Sequence, residues 1–180
     1  MNMPYIKLPD SIPGMLSLLT AYPETGQHLS AFAQQLLRAE SSLSSAEREL
    51  IAAKISQANH CKYCKHSHAQ MACHLFSDKD NKIVEEVIFK NNIKVLSKKM
   101  QALIEIALAV QQSGLTVKQF HIDKARNAGA DDKAIHDTVL ISAAFCMFNR
   151  YISGLATLTP DEPKSYQMIG KRLAESGYVE

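Results

Sequence analysis

The amino-acid sequence predicts an all-α fold, and three kinds of pattern support this prediction. Apolar residues recur at helical spacing, for example over residues 97–112. Capping boxes mark helix starts, because Ser44 is followed three residues later by Glu47, and Thr116 by Gln119. Strand signals are nearly absent, since no polar and apolar residues alternate over a sustained run and no Asn-Gly or Asp-Gly dipeptide marks a hairpin turn.

Further signals place the helix ends. Asn59 is expected to cap a helix that begins at His60. Gly129 is expected to end a helix as its C-terminal glycine, and Asp131 or Asp132 then opens the last long helix. In chain order, we expect helices over residues 26–38, 44–58, 60–76, 81–89, 97–112, 116–127 and 131–151.

The two ends of the chain have a different character. Prolines recur in the first 25 residues, and they predict an extended arm over about residues 1–25 that wraps a larger body. The end of the chain, about residues 160–180, predicts a polar tail. Between them we expect one domain, so the whole chain, residues 1–180, forms a single unit.

Composition narrows the class of protein. Hydrophobic residues make up 46% of the 180 residues and charged residues 21%, which is typical of a soluble globular domain. The net charge is +2 and the basic residues are scattered, so we expect no nucleic-acid surface. The N-terminus lacks the pattern of a secretory signal, and no apolar stretch reaches the ~20 residues of a membrane span. The sequence therefore predicts a cytoplasmic protein without a membrane partner.

Residues 59–68, NHCKYCKHSH, carry the strongest chemical signal. Cys61 and Cys64 are three residues apart and His68 follows four residues later, so the three side chains share one side of a helix. Free N–H groups and the helix dipole stabilise a thiolate near a helix N-terminus. A thiolate can attack a peroxide to give a sulfenic acid, which a second thiol converts to a disulfide while a histidine moves protons.

Glu49 precedes this motif by twelve residues, counted to Cys61, and lies on the preceding predicted helix. Its neighbours Ala46, Ala52 and Ala53 are small, so another helix can approach closely. A buried carboxylate held against a histidine would orient the ring and raise its basicity. The alternative is a solvated glutamate in the first turn of a helix, which is the more common arrangement.

Together these residues resemble the alkylhydroperoxidase D-like group within the carboxymuconolactone decarboxylase superfamily. The signature of that group is a Glu, eleven residues and then C-x-x-C-x-x-x-H, which corresponds to Glu49, Cys61, Cys64 and His68. Residues 125–151 also resemble the helix that follows in peroxidase-related members, and the likeness spans roughly residues 10–160. The resemblance implies an alkylhydroperoxidase D-like helical bundle that forms homo-oligomers and reduces hydroperoxides.

The resemblance also implies roles for single residues. Cys64 would attack the peroxide, Cys61 would be its disulfide partner, and Glu49 with His68 would form a proton relay. No cofactor is implied; the partners would be a hydroperoxide and a dithiol or protein reductant. The best-known branch carries a histidine one residue before the second cysteine, where this chain has Tyr63. The identity of the peroxide and of the reductant therefore stays open.

Three alternatives compete with thiol redox chemistry. A lactone decarboxylase would share the fold without depending on the cysteine pair. The pair could instead consist of small core residues, as we expect for the other two cysteines, Cys73 and Cys146. A zinc site could combine Cys61, Cys64 and His68 with one further ligand, but structural zinc usually needs two ligand pairs from separate elements. The candidates for that fourth ligand are His60, His66, Cys73 and His74.

Overall fold

The computed structural model describes residues 3–76 and 81–179, so residues 1, 2 and 180 of the predicted arm and tail lie outside it. Over these ranges the chain is all-α, as predicted, and contains no β-strand. A π-helical turn covers Glu85–Phe89, and short 3-10 turns cover Ile93–Val95 and Gly114–Thr116. The α-helices are Gly14–Ala21 (α1), Pro23–Arg38 (α2), Ser45–Ala58 (α3), Lys62–Leu75 (α4), Asn81–Val84 (α5), Lys98–Gln112 (α6), Gln119–Asn127 (α7), Asp132–Gly154 (α8) and Pro163–Ser176 (α9).

Two of the predicted end signals act as the sequence indicates. Ser44 and Glu47 form a complete capping box at α3: the Ser44 hydroxyl accepts the Glu47 N–H at 3.2 Å, and the Glu47 carboxylate accepts the Ser44 N–H at 2.8 Å. Gly129, just beyond α7, has a φ of +90°, a backbone conformation that favours glycine. These predictions are confirmed.

The predicted cap at the start of α4 is wrong. Cys61, not Asn59, holds the N-cap position, while Asn59 ends α3. The Asn59 side chain instead donates to the side-chain Oδ1 of Asn149 at 2.9 Å. This long-range contact can form only when α8 is in place, so no local pattern indicates it. His60 makes the reversal between the two helices with a φ of +58°.

The predicted capping box at residues 116 and 119 is also wrong. Thr116 ends a 3-10 turn, and α7 begins only after Lys118. The observed start at Gln119 is three residues after the predicted start at residue 116, and at the N-cap the ring Nδ1 of His121 accepts the Lys118 N–H at 3.0 Å. The imidazole takes the place that a carboxylate or amide holds in a standard capping box.

The N-terminal region is more helical than the predicted arm. Helix α1 lies inside residues 1–25, and α2 begins at Pro23 rather than near residue 26. Pro23 fits the first turn of a helix, where its missing N–H is not needed. The other prolines of this region all precede α1, so they mark the start of a helix that we expected to be extended chain. At its start, Gly14 has a φ of +56°, and a Cβ there would lie 2.2 Å from the Tyr63 ring.

The predicted polar tail contains a packed helix. Helix α9 lies against α4, and Gly170 permits the close approach, because a Cβ there would lie 2.5 Å from Cβ of Gln70. Tyr166 of α9 is buried. The polar residues that suggested a solvated tail occupy the other face of this helix.

Packing among the helices positions the cysteine motif. Helix α3 runs along α4, and both α3 and α6 pack against α8, which buries the main apolar core. A second, smaller cluster forms where the start of α4 meets the end of α8 and helix α9, and it includes both Cys61 and Cys64. Within the ranges that the structure describes, no helix combines the length and apolar character needed to cross a bilayer.

Candidate active site

The two cysteines of the motif lie in direct contact at the start of α4. Cys61 is the N-cap residue and Cys64 lies in the first turn; both are free thiols and each is only 3% exposed. The Cys64 thiol donates a hydrogen bond to the Cys61 sulfur. The sequence prediction that this pair shares one side of a helix start is therefore matched by the geometry.

Further donors surround the Cys61 sulfur. The main-chain N–H groups of Cys64 and Tyr63 point at it, as does the Ser153 hydroxyl from α8. The Cys61 side chain forms no hydrogen bond that caps α4, so these N–H groups act on its sulfur mainly through their partial charges. The hydrogen bond from Cys64 is the largest influence, and with the other donors it outweighs burial and lowers the pKa of Cys61 to about 7.

Cys64 has the opposite preference. The hydrogen bond that it donates to Cys61 raises its pKa well above the ordinary thiol value, and burial raises the pKa further. The side chain of Asn149, from α8, hydrogen-bonds to Cys64 and lowers its pKa in part. Asn149 is itself buried and donates to the Ser56 hydroxyl at 3.1 Å. Of the two thiols, Cys61 is therefore the one that ionises more readily as the pH rises, while Cys64 keeps its proton.

The second part of the motif is a buried ion cluster one helical turn further along α4. Glu49, on α3, is fully buried, and its Oε2 accepts Nδ1–H of His68 at 2.6 Å. Its Oε1 lies 2.6 Å from an Arg38 guanidinium nitrogen and accepts the Tyr178 hydroxyl at 2.6 Å. The expectation that Glu49 is buried against a histidine is confirmed. The solvated alternative is excluded.

These contacts decide the protonation of the cluster. Burial opposes ionisation of Glu49, but attraction to His68 and to Arg38, together with hydrogen bonds from His68 and Tyr178, lowers its pKa. Burial and the nearby Glu49 charge raise the pKa of Tyr178 well above its ordinary value, so its hydroxyl stays a donor. In neutral His68 the proton on Nδ1 faces Glu49, which leaves Nε2 as the hydrogen-bond acceptor.

The structure joins the predicted residues as two pairs. Cys61 contacts Cys64, and Glu49 contacts His68, while His68 lies one turn after Cys64 on the same helix without a hydrogen bond to either thiol among the described residues. The His68 ring packs edge-on against Phe145, with centroids 4.6 Å apart.

Tyr63 takes a packing position. Its side chain is 7% exposed and its ring packs against Tyr166, with centroids 6.1 Å apart. Burial is the main cause that raises its pKa, so the phenol stays protonated. The residue that replaces the extra histidine of the best-known branch therefore supplies no readily ionised group here.

Sequence reasoning missed four side chains that complete the site. Tyr178 lies in the expected tail, 129 residues after Glu49, and no sequence signal connects the two. Arg38 has the pattern of a basic residue that complements the end of a helix. Asn149 and Ser153 belong to a helix that was predicted, but their contacts with the thiols depend on how that helix packs.

A cavity of about 380 Å³ opens beside the start of α4. Cys61 lines it together with Ser153 and Thr157 from the end of α8 and the loop that follows. At its surface, Lys62 and Asp161 form an ion pair at 2.6 Å between exposed side chains. No group of three or more His, Cys, Asp or Glu side chains arranged to hold a metal ion occurs in residues 3–76 and 81–179.

Comparison with known proteins places this arrangement in a family. The profile of the carboxymuconolactone decarboxylase family matches residues 23–76 and 82–159, which is more than half of the chain. The chain belongs to the carboxymuconolactone decarboxylase family. These matches contain both α3 and α4, and so every residue of the motif. Among curated proteins, none matches the sequence.

Solved structures share the fold of this family member. A peroxidase-related protein from Silicibacter sp. TM1040 has 24% identity and a TM-score of 0.72, covering 84% of this chain and 78% of its own. An alkylhydroperoxidase AhpD core from Ralstonia eutropha JMP134 is also described as an uncharacterized peroxidase-related protein. It has 22% identity and a TM-score of 0.77, and the match covers 89% of this chain and 82% of its own. A protein of unknown function from Agrobacterium tumefaciens has 18% identity and a TM-score of 0.69, and the match covers 83% of this chain and 99% of its own. These likenesses establish an alkylhydroperoxidase D-like fold.

Proposed function

We propose that this member of the carboxymuconolactone decarboxylase family is a dithiol-dependent peroxidase that reduces hydroperoxides. The observation that carries the proposal is the close approach of Cys61 and Cys64, which pack in one cluster as free thiols at the start of α4. Two sulfurs in contact can form a disulfide with little backbone movement. One of them ionises readily while the other holds its proton, and a dithiol cycle uses such a pair.

The proposed cycle balances in two steps. A thiolate of the pair attacks one oxygen of the hydroperoxide ROOH, so that an S–O bond forms, the O–O bond breaks and the leaving RO⁻ takes up a proton to become an alcohol. The second thiol gives up its proton and attacks the sulfenic sulfur, which forms the disulfide and releases water. Two electrons pass from the thiols to the peroxide. An external dithiol or a thiol protein then reduces the disulfide.

We assign the movement of protons to His68 and Glu49. The Glu49 carboxylate holds the proton of neutral His68 on Nδ1, so Nε2 is the ring atom that can accept one. Arg38 and Tyr178 hold the carboxylate in place from its other oxygen. Both side chains are therefore positioning residues, since they act through Glu49.

The proposal includes a setting and an assembly. A cytoplasmic location would keep the pair reduced between turnovers. A homo-oligomer would cover large apolar side chains such as Phe120, which is 63% exposed, and Met147 of α8, which is 46% exposed. Sedimentation should give a mass above one chain, and a monomer that does not change with concentration would contradict the assembly.

A peroxide-consumption assay with a dithiol reductant tests the activity. The unmodified protein should consume hydroperoxide, while Cys61→Ser and Cys64→Ser should each lose turnover. Cys73→Ser is the matched control, because Cys73 lies near the other end of α4, and it should retain activity within about twofold. Peroxide consumption that survives replacement of both motif cysteines would contradict the dithiol mechanism. No peroxide consumption by the unmodified protein would favour the lactone decarboxylase alternative.

A further inference from the structure

The C-terminal part of the chain lies against the helix that carries the cysteine pair. The family match ends at residue 159, and the chain continues through α9 to the end of the described residues. Helix α9 can pack on α4 because Gly170 has no side chain: a Cβ there would lie 2.5 Å from Cβ of Gln70 and 3.0 Å from its main-chain carbonyl carbon. We call residues 160–179 the cover, since they form one wall of the site.

Three polar contacts hold the end of the cover in place. Arg38 donates to the Leu173 carbonyl at 3.2 Å, and the Gln34 side chain accepts the Tyr178 N–H at 2.8 Å. The Tyr178 hydroxyl donates to the Glu49 carboxylate at 2.6 Å. These contacts tie α9 to both α2 and α3, so the inner face of α9 keeps a defined position over α4.

Tyr166 is the residue that the cover places beside the thiols. It is 3% exposed and belongs to the apolar cluster that contains Cys61 and Cys64. Its ring packs against Tyr63, with centroids 6.1 Å apart, and its hydroxyl donates to the Pro160 carbonyl at 2.7 Å. The ring is therefore held at both ends, and it closes the apolar side of the cysteine pair.

The space that stays open beside the pair has a mostly polar wall. The cavity of about 380 Å³ is lined by Cys61, Ser153 and Thr157, and the ion pair of Lys62 and Asp161 stands at its edge. Thr157 is 5% exposed, and its hydroxyl has no hydrogen-bond partner among the described residues. Because a buried hydroxyl without a partner is unfavourable, this cavity suits a molecule with oxygen atoms better than a long hydrocarbon chain.

We propose that the cover, through Tyr166, restricts this protein to hydrogen peroxide and short-chain hydroperoxides and excludes the hydroperoxides of long-chain lipids. The inference rests on the proposed function and names the substrate class of the same site. The oxidation of the thiols by ROOH is the same for every R, so the cover acts on the binding of R and not on the bond that breaks. Tyr166 is thereby assigned as a specificity-determining residue.

Peroxide consumption with a dithiol reductant tests the restriction, with hydrogen peroxide and linoleic acid hydroperoxide as the two substrates. The unmodified protein should have a kcat/KM at least about tenfold higher for hydrogen peroxide. Tyr166→Ala should shift the ratio of the two kcat/KM values by about tenfold or more toward the lipid hydroperoxide. The reason is that Tyr63 lines the cavity, and loss of the ring behind it opens the apolar cluster to a hydrocarbon chain.

Tyr166→Phe is the matched control, because it keeps the ring and should keep the ratio within about twofold. Circular dichroism should show that both variants are folded. An unchanged ratio in folded Tyr166→Ala would overturn the proposal. So would an unmodified protein that uses both peroxides equally well.

A second variant displaces the cover and leaves Tyr166 unchanged. Gly170→Ala should force α9 away from α4, since the added Cβ meets the main chain of Gln70. Residues 163–179 should then exchange their amide hydrogens faster, and the ratio should shift at least about threefold toward the lipid hydroperoxide. Gly114→Ala is the matched control, because a Cβ at Gly114 meets no atom within 4 Å.

Two results with Gly170→Ala would contradict the proposal. Unchanged exchange would show that α9 does not lie closely on α4. Faster exchange with an unchanged ratio would show that the cover does not set the specificity.

The two levels of the proposal fail in different ways. If the unmodified protein consumes neither peroxide and forms no disulfide, the proposed function fails and the restriction fails with it. If the unmodified protein consumes both peroxides with equal efficiency through Cys61 and Cys64, the proposed function stands and only the restriction by the cover fails.

Discussion

Two groups of polar side chains meet α4 about one helical turn apart, and they hold their polar atoms differently. We call the first the thiol site; it consists of Cys61, Cys64 and Ser153. We call the second the carboxylate cluster; it consists of Glu49, His68, Arg38 and Tyr178. In the thiol site, the Cys61 sulfur lies at the edge of a cavity and makes no cap hydrogen bond to the start of α4. In the carboxylate cluster, three donors lie 2.6 Å from a fully buried carboxylate.

This difference separates reactivity from rigidity. A nucleophile has to be accessible to its substrate, so the thiol site is less tightly packed on the side that faces the cavity. A buried charge has to be fully paired, so the carboxylate cluster allows little movement. Replacements in the thiol site should therefore affect activity far more than stability, and replacements in the carboxylate cluster should affect stability strongly.

The largest effect is expected on activity in the thiol site. Cys61→Ser and Cys64→Ser should each lower turnover by about 10³-fold or more, because neither variant can form the disulfide. Urea unfolding should show a loss of at most about 2 kcal/mol, since serine is nearly isosteric with cysteine and keeps a polar donor. A collapse of stability in these variants would remove the distinction between the two regions.

Glu49→Gln should give the largest loss of stability, about 3–5 kcal/mol, because Arg38 is left buried without its anionic partner. Turnover should fall by less than in the cysteine variants, within the ~10²–10⁴-fold that acid–base catalysis supplies. Adding Arg38→Met should restore part of the stability, which urea unfolding measures. A loss below about 1 kcal/mol for Glu49→Gln would show that the carboxylate cluster is not tightly held.

Tyr178→Phe should cost about 1–2 kcal/mol, since it removes one hydrogen bond to the Glu49 carboxylate and keeps the ring that packs under Arg38. Tyr22→Phe is the control, because Tyr22 is 38% exposed and should show no loss. Equal stability of the two variants would mean that the end of the chain does not contribute to the carboxylate cluster.

The pH dependence of alkylation should sharpen the description of the thiol site. The rate at Cys61 should rise with pH, be half-maximal at about 7 and then level off, because only the thiolate reacts. Cys64→Ala should move the midpoint to higher pH, since it removes the largest stabilising hydrogen bond, whereas Cys64→Ser keeps a donor and should move it less. A midpoint near the ordinary thiol value in the unmodified protein would contradict this account of the donors.

The smallest effect is expected from metal removal. A chelator should leave the helical circular dichroism signal unchanged, and purified protein should contain much less than one zinc per chain. Stoichiometric zinc with unfolding on chelation would instead make the cysteines metal ligands.

The same two regions show what the sequence can predict. Glu49, Cys61, Cys64 and His68 lie on two consecutive helices, so their spacing along the chain largely determines their neighbours. The capping box of α3 is likewise local and was predictable.

The other members of the site come from distant elements. Tyr178 reaches the carboxylate cluster only because α9 packs on α4 through Gly170, and a polar outer face concealed that helix. Ser153 and Asn149 reach the thiols only after α8 is packed. Side-chain contacts of this kind follow from the packing of helices and carry no periodic signal.

The most direct test of dithiol chemistry is a titration of the reduced protein with hydroperoxide, with every cysteine quantified by peptide mass spectrometry. Each equivalent of peroxide should yield one intramolecular Cys61–Cys64 disulfide, while Cys73 and Cys146 remain thiols. Oxidation of Cys73 or Cys146 with Cys61 and Cys64 still reduced would contradict the proposed function.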